Sequence, residues 1–256
     1  MGHLRTCLSA ASMSTVVAVG TAWGQADSVI HTGQAVAIGH GEAYTFVRTG
    51  QGGEVSAIGV VLTADVLEGL PAAAPGGDPM FSYHLSMPEG GPRTVIDHVG
   101  VDWESVGHPP SQVYDVPHFD FHFYVVSRDA VGQVVFAGPE DSGSPDQQPP
   151  ARLMPAGYVM PPGTAVPKMG AHAVNPSAPE FQQQPFDATF IYGYYNKELT
   201  FVEPMVSLAF LRSRSQFAAP VSRPEAYSRA GAYPSSYRVS YDDARRVYEI
   251  TLEGLE

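Results

Sequence analysis

Cysteine is all but missing: Cys7 is the only one in 256 residues. Beyond that position the chain can form no internal disulfide, offers no thiol nucleophile and supplies no thiolate to a metal. A bound ion would have to be held by His, Asp, Glu or Tyr. Charge is also scarce, at 16% of residues, and lopsided: 14 basic against 26 acidic side chains give a formal net charge of −12. Neutralising phosphates needs clustered Lys and Arg, so this balance argues against nucleic acid as a partner. There is no G-x-S-x-G nucleophile elbow, no P-loop and no G-x-G-x-x-G phosphate cradle. After residue 26 no apolar run approaches the length of a membrane span, about 20 residues.

Hydrophobic residues make up 44%, enough for a sizeable core, and 26 Gly with 23 Pro favour short strands and ordered loops over helices. Residues 1–26 read as an export signal. Arg5 is the only charge before the low-polarity stretch Ser9–Ala22, and Ala22, Gly24 and Ala26 supply small cleavage-site residues. A frayed N-terminal helix is the bland rival. Export implies a periplasmic or secreted protein, from which Cys7 departs with the leader. Residues 27–256 then form a single mainly-β domain.

Alternating and β-rich runs predict the strands. Ala43–Arg48 and Val55–Thr63 form a hairpin around Gly50, Gly52 and Gly53. Ala64–Leu70 gives one or two helical turns before Pro71, and Met80–Met87 and Thr94–Val101 give two further strands. His118–Ser127 is the strongest strand signal, and Arg128–Ala137 reads as a short helix. Gly138–Pro185 has little pattern and many prolines, which predicts a long loop draped on the surface. Ala188–Tyr194 and Leu199–Leu211 flank Asn196-Lys197, a tight-turn pair. Arg238–Tyr241 and Val247–Leu252 close the chain. The expected fold is mainly β with a minor helical part: an antiparallel β-sandwich or distorted barrel with a long Pro-rich loop and one or two short helices.

Chemistry concentrates in His118-Phe119-Asp120-Phe121-His122-Phe123-Tyr124. Side chains alternate along a strand. Three phenylalanines therefore enter the core while His118, Asp120 and His122 share the other face. Alternate residues stand about 6.6 Å apart and can converge on one ion, whereas His118 and His122, about 13 Å apart, cannot without a bulge. Asp120 with one flanking histidine is the physical pair, completed from elsewhere. His172, in the long loop, and Glu203, an acid among apolar residues, are the remote contributors, since a buried acid needs a partner. Such a donor set suits a divalent ion, zinc first. A metal-free polar cleft and a structural network, with Glu203 paired to Arg212 or Arg214, stay open as readings. His108 is a weaker candidate in what reads as a plain turn. The Ile191–Tyr195 run offers tyrosines for carbohydrate stacking.

The runs Gly107-His108-Pro109-Pro110, Tyr114–Tyr124, Pro155-Ala156-Gly157-Tyr158, Pro167–His172, Tyr192-Gly193, Phe201–Met205 and Tyr233–Tyr237 together resemble the TTHB210-like family of bacterial proteins. The resemblance implies an exported protein with no assigned reaction. It also implies that His118, Asp120, His122, His172 and Glu203 belong to one cluster. Here Ala173 stands where the family motif implies an aromatic. The expectation is an exported metal-binding protein with a small-molecule ligand. Its enzymatic form is a zinc-dependent hydrolase or lyase, with His118 or Glu203 moving the proton. The alternative is a non-enzymatic envelope or stress-related homo-oligomer with a structural cluster.

Overall fold

The computed structural model describes residues 28–256, so the expected export segment 1–26, with Cys7, lies outside the described residues. In chain order the strands are β1 (Val29–Thr32), β2 (Val36–Ile38), β3 (Gly41–Thr49), β4 (Val55–Thr63), β5 (Met80–Ser86), β6 (His98–Glu104) and β7 (His118–Tyr124). They continue as β8 (Ala165–Val166), β9 (Gly170–Ala173), β10 (Ala188–Tyr195), β11 (Glu198–Ser207), β12 (Phe217–Pro220), β13 (Ser236–Asp242) and β14 (Val247–Glu253). Helices α1 (Arg128–Gly132) and α2 (Leu208–Ser213) are one or two turns long.

The strands make two antiparallel sheets, ordered β1-β3-β4-β14-β13-β12, with β2 on β3, and β5-β6-β7-β11-β10-β9-β8. Phe119, Phe121 and Phe123 of β7 share one buried cluster with Ile58, Val60 and Leu62 of β4 and Ile250 and Leu252 of β14. The two sheets therefore face each other across a common core, as expected of a sandwich. Burying three phenylalanine side chains there contributes about 1.5–3 kcal/mol each.

Several boundaries differ from the sequence expectation. The strand read as Thr94–Val101 runs from His98 to Glu104, because Val99, Val101 and Trp103 are its core-facing alternation. The run read as Leu199–Leu211 ends at Ser207, whose hydroxyl accepts from Phe210 N–H at 3.1 Å and starts α2. The predicted helix 128–137 stops at Gly132. The long loop contains β8 and β9, and its chain is pinned by Gln148, which donates to the carbonyls of Ser142 and Met160. At the β10–β11 turn, Asn196 and Lys197 both have positive φ, 49° and 73°, as a two-residue hairpin requires.

The outer face of the second sheet is covered. Tyr114 and Phe186, from the segments after β6 and before β10, pack on Ile191 and Met205 of the sheet. The site lies between this cover and the sheet.

Candidate metal centre

β7 is buried on both faces: His118, Asp120 and His122 are as inaccessible as the phenylalanines between them. The neighbouring strands add to the polar face. Asp102 pairs with Asp120, Glu104 with His118, and Met205 with Asp120. Glu203, two residues before Met205, shares that face by alternation. His172, on β9, enters opposite Gly193. A cavity of about 220 Å³ opens there, lined by Glu104, His108, Asp120, His122, His172 and Glu203 among apolar residues such as Met169, Ile191 and Met205.

The five residues singled out in the sequence fall into two groups. His122, His172 and Glu203 form one; His118 and Asp120 form the other, joined by His108. In the first, His122 Nε2 lies 3.5 Å from Glu203 Oε1, and His172 Nε2 lies 3.7 Å from Oε2. In the second, His118 Nε2 lies 3.2 Å from Asp120 Oδ1, and His108 Nε2 lies 3.5 Å from Oδ2. Ligand bonds of about 2.0–2.2 Å at a tetrahedral ion place neighbouring ligand atoms about 3.3–3.6 Å apart. The observed separations, 3.2–3.7 Å, lie within about 0.1 Å of that range.

Several donor atoms of the two groups are left unpaired. His118 Nε2, Asp120 Oδ1, both ring nitrogens of His122 and Glu203 Oε2 are buried without a hydrogen-bond partner. In His108, His118 and His172 the other ring nitrogen is engaged by a backbone carbonyl. Nδ1 lies 2.6 Å from the Pro109 carbonyl in His108, 2.6 Å from Val116 O in His118 and 2.9 Å from Thr164 O in His172. A carbonyl only accepts, so Nδ1 carries a proton, and in the neutral ring the lone pair sits on Nε2. His122 Nδ1 instead faces the Asp102 carboxylate at 3.2 Å. Orientation of a ligating histidine by a carbonyl or carboxylate is the usual outer support of a metal site.

Rings fix the rotamers. Phe201 stands 4.7 Å from His122 and 5.2 Å from His172, centroid to centroid. Gly193 leaves room for it, because a Cβ there would collide with the Phe201 ring. Phe186 and Tyr114 enclose His118, and Tyr114 OH donates to Glu180 at 3.0 Å. Gly107 has φ 77°, and a Cβ would strike the Tyr114 carbonyl, so only glycine lets the chain turn His108 inward.

The site is short of positive charge, since no Lys or Arg lines the cavity. Burial pushes Glu203 up to about 8, with Asp120 adding to the effect and His122 opposing it. Burial, reinforced by Asp120, pushes Glu104 up to about 7. Burial acts to lower His108 and His122, but Asp120 beside the first and Glu203 with Asp102 beside the second outweigh it and raise both to about 9. Burial and His122 lower His172 to about 4. Asp120 resists its own burial and stays well below the usual carboxylate range because of His118 and His108.

Three residues of this face were missed in the sequence or set aside. His108 read as part of a turn, and Asp102 and Glu104 lay beyond the expected end of their strand. The alternation Val99, Val101, Trp103 against Asp102 and Glu104 is the signal that would have found the acids. Arg212 and Arg214 are not partners of Glu203; Arg214 lies 3.9 Å from Asp243. Tyr192 and Tyr194 are buried, with hydroxyls donating to Ser222 O and Leu153 O, and offer no stacking surface.

No curated protein and no solved structure matches the chain. A family model does: TTHB210-like, described as "Hypothetical protein TTHB210", matches residues 50–103, a stretch that holds β4, β5 and Asp102, and it is the family that the sequence motifs resemble.

Proposed function

We propose that the chain is a metal-binding protein whose His122, His172 and Glu203 hold a divalent ion, zinc first, at the cavity between the second sheet and its covering loops. The observation that carries this reading is the set of buried donor atoms without hydrogen-bond partners at His122 and Glu203, beside a His172 whose Nδ1 is held by the Thr164 carbonyl. Buried polar atoms are as a rule paired, and outside the site the unpaired ones among the described residues are Thr200 Oγ1 and Tyr227 OH. Two imidazole nitrogens and a carboxylate are a donor set that zinc accepts with a position to spare.

An ion with an open position supplies a polarised carbonyl or an activated water. Hydrolysis or elimination on a small molecule is the enzymatic form of this reading, and the cavity, about 220 Å³, limits the substrate to that size. Its apolar wall would hold the substrate's hydrocarbon part. Glu104 lines the same space outside both ligand groups and is placed to move a proton. His118 and Glu203, the proton carriers expected from sequence, serve better as ligands because their unpartnered donor atoms lie beside the other candidate ligand atoms of their groups. We place the protein outside the cytoplasm on the strength of residues 1–26, a reading that N-terminal sequencing of the recovered protein checks.

The test is metal analysis of untagged protein. Zinc retained through desalting, and about one ion fewer per chain in His172→Ala with the fold intact by circular dichroism, supports the proposal. Less than about a tenth of an ion per chain, unchanged after incubation with zinc, cobalt and manganese salts, ends it.

A further inference from the structure

The second ligand group was not expected from the sequence as a site of its own. We infer that His108, His118 and Asp120 hold a second divalent transition-metal cation, separate from the one at His122, His172 and Glu203. The two groups share the cavity but no residue. The inference rests on different atoms from the proposed function and stands or falls separately.

Each Asp120 oxygen faces one imidazole: Oδ1 faces His118 Nε2 at 3.2 Å and Oδ2 faces His108 Nε2 at 3.5 Å. His118 is fully buried, and its Nε2 and Asp120 Oδ1 are both left unpartnered, although they are close enough to bond if they were aligned. Their lone pairs therefore point past each other. Both histidines direct Nδ1 at the backbone carbonyl of a nearby residue, Pro109 or Val116, which fixes each ring with Nε2 turned to the carboxylate. Tyr114 stands 5.7 Å from the His108 ring and 6.4 Å from that of His118, enclosing the group on one side. Imidazole and carboxylate donors without sulfur select a first-row divalent ion.

Charge adds an independent reason. Asp102 and Asp120 are paired across neighbouring strands and both are buried. With His108 and His118 neutral, as ligands must be, a single ion at the first group would leave Asp120 without a counter-charge of its own. A second ion supplies what the cavity lining does not.

The experiment uses the full chain, stripped with chelator, dialysed and reloaded with zinc chloride. Zinc per chain is then measured by mass spectrometry after desalting, with cobalt absorption spectra as a second readout. The expected content is about two ions in the wild type and about one in either His108→Ala or His172→Ala. His108 is one-third exposed on a loop, so its replacement leaves the core untouched, and circular dichroism verifies this. About one ion in both wild type and His108→Ala, falling to none in His172→Ala, overturns the second site and leaves the first standing. One ion in the wild type that is lost in His108→Ala but kept in His172→Ala overturns the first site instead, together with the two-ion count.

Discussion

Two aspartates face each other on adjacent strands in the middle of the site, and each solves its burial differently. Asp120 turns to His118 and His108, while Asp102 turns to His122 Nδ1 at 3.2 Å. Like charges directly opposite in a sheet are destabilising, so removing one has two effects of opposite sign. Asp102→Asn should leave the ion-free chain as stable or more so, yet weaken zinc binding about 10–100-fold, because the group orienting His122 is lost. Competition with a chromophoric chelator measures this, and unchanged affinity would remove Asp102 from the site. His98 gives a pH signature away from the ligands. It is buried and stacked 4.7 Å from Tyr124, and burial lowers its pKa although Asp97 pulls the other way. The unfolded chain then takes up the proton first, so stability is full above about pH 6.5 and declines as pH falls through that value. His98→Gln should lose less melting temperature than the wild type between about pH 7 and pH 5.5. At this scale the sequence was readable where alternation marked a face, as at His118, Asp120 and His122. It was silent where the cue was a turn that folds back, as at His108, since nothing local says what a turn will meet.

The β10–β11 hairpin does more for the site than supply Glu203. Gly193 on β10 makes room for Phe201 on β11, which braces both His122 and His172. Gly193→Val would drive a side chain into that ring. The expected cost is about 1–3 kcal/mol of overpacking, read in denaturant titration, together with weakened zinc binding at the first group only. An equal loss of both ions would show that Phe201 acts through the whole sheet. Pro204, next to Glu203, brings no N–H to a strand with neighbours on both sides, and the paired positions of β7 and β11 skip Glu203 and Pro204. The hairpin itself was plain from its β-rich halves and Asn196-Lys197. Strand β6 was misplaced by a few residues because buried acids imitate the polar residues that normally end a strand. Strands β1, β2 and β12 gave too short a signal to separate from loop.

Across the whole molecule, the cover over the second sheet is long and proline-rich, with β8, β9 and short 3-10 turns as its regular structure. That arrangement was not legible in the sequence: Gly138–Pro185 announced a loop but not its docking face. The candidate ligands come from β7, β9, β11 and the segment after β6, so an ion bound there should stabilise the folded chain by mass action. Free zinc at 100 times its dissociation constant contributes about 2.7 kcal/mol per site. For a chain of this size that corresponds to a rise in melting temperature of about 5–11 °C, at about 2–4 °C per kcal/mol. Scanning calorimetry with and without zinc, then with chelator in excess, checks the rise and its reversal. A melting temperature indifferent to zinc would mean that the ligands do not bind it in the folded state.

The described residues contain no cysteine, yet side chains from positions 108 to 203 converge on one small volume. Coordination bonds there would act as cross-links between distant parts of the chain, shrinking the unfolded ensemble much as a disulfide does. Unlike a disulfide, such a fastening is indifferent to reductants and is undone by acid or by a stronger chelator. A protein fastened this way would owe its resistance to unfolding to the metal supply around it rather than to the redox state of its compartment.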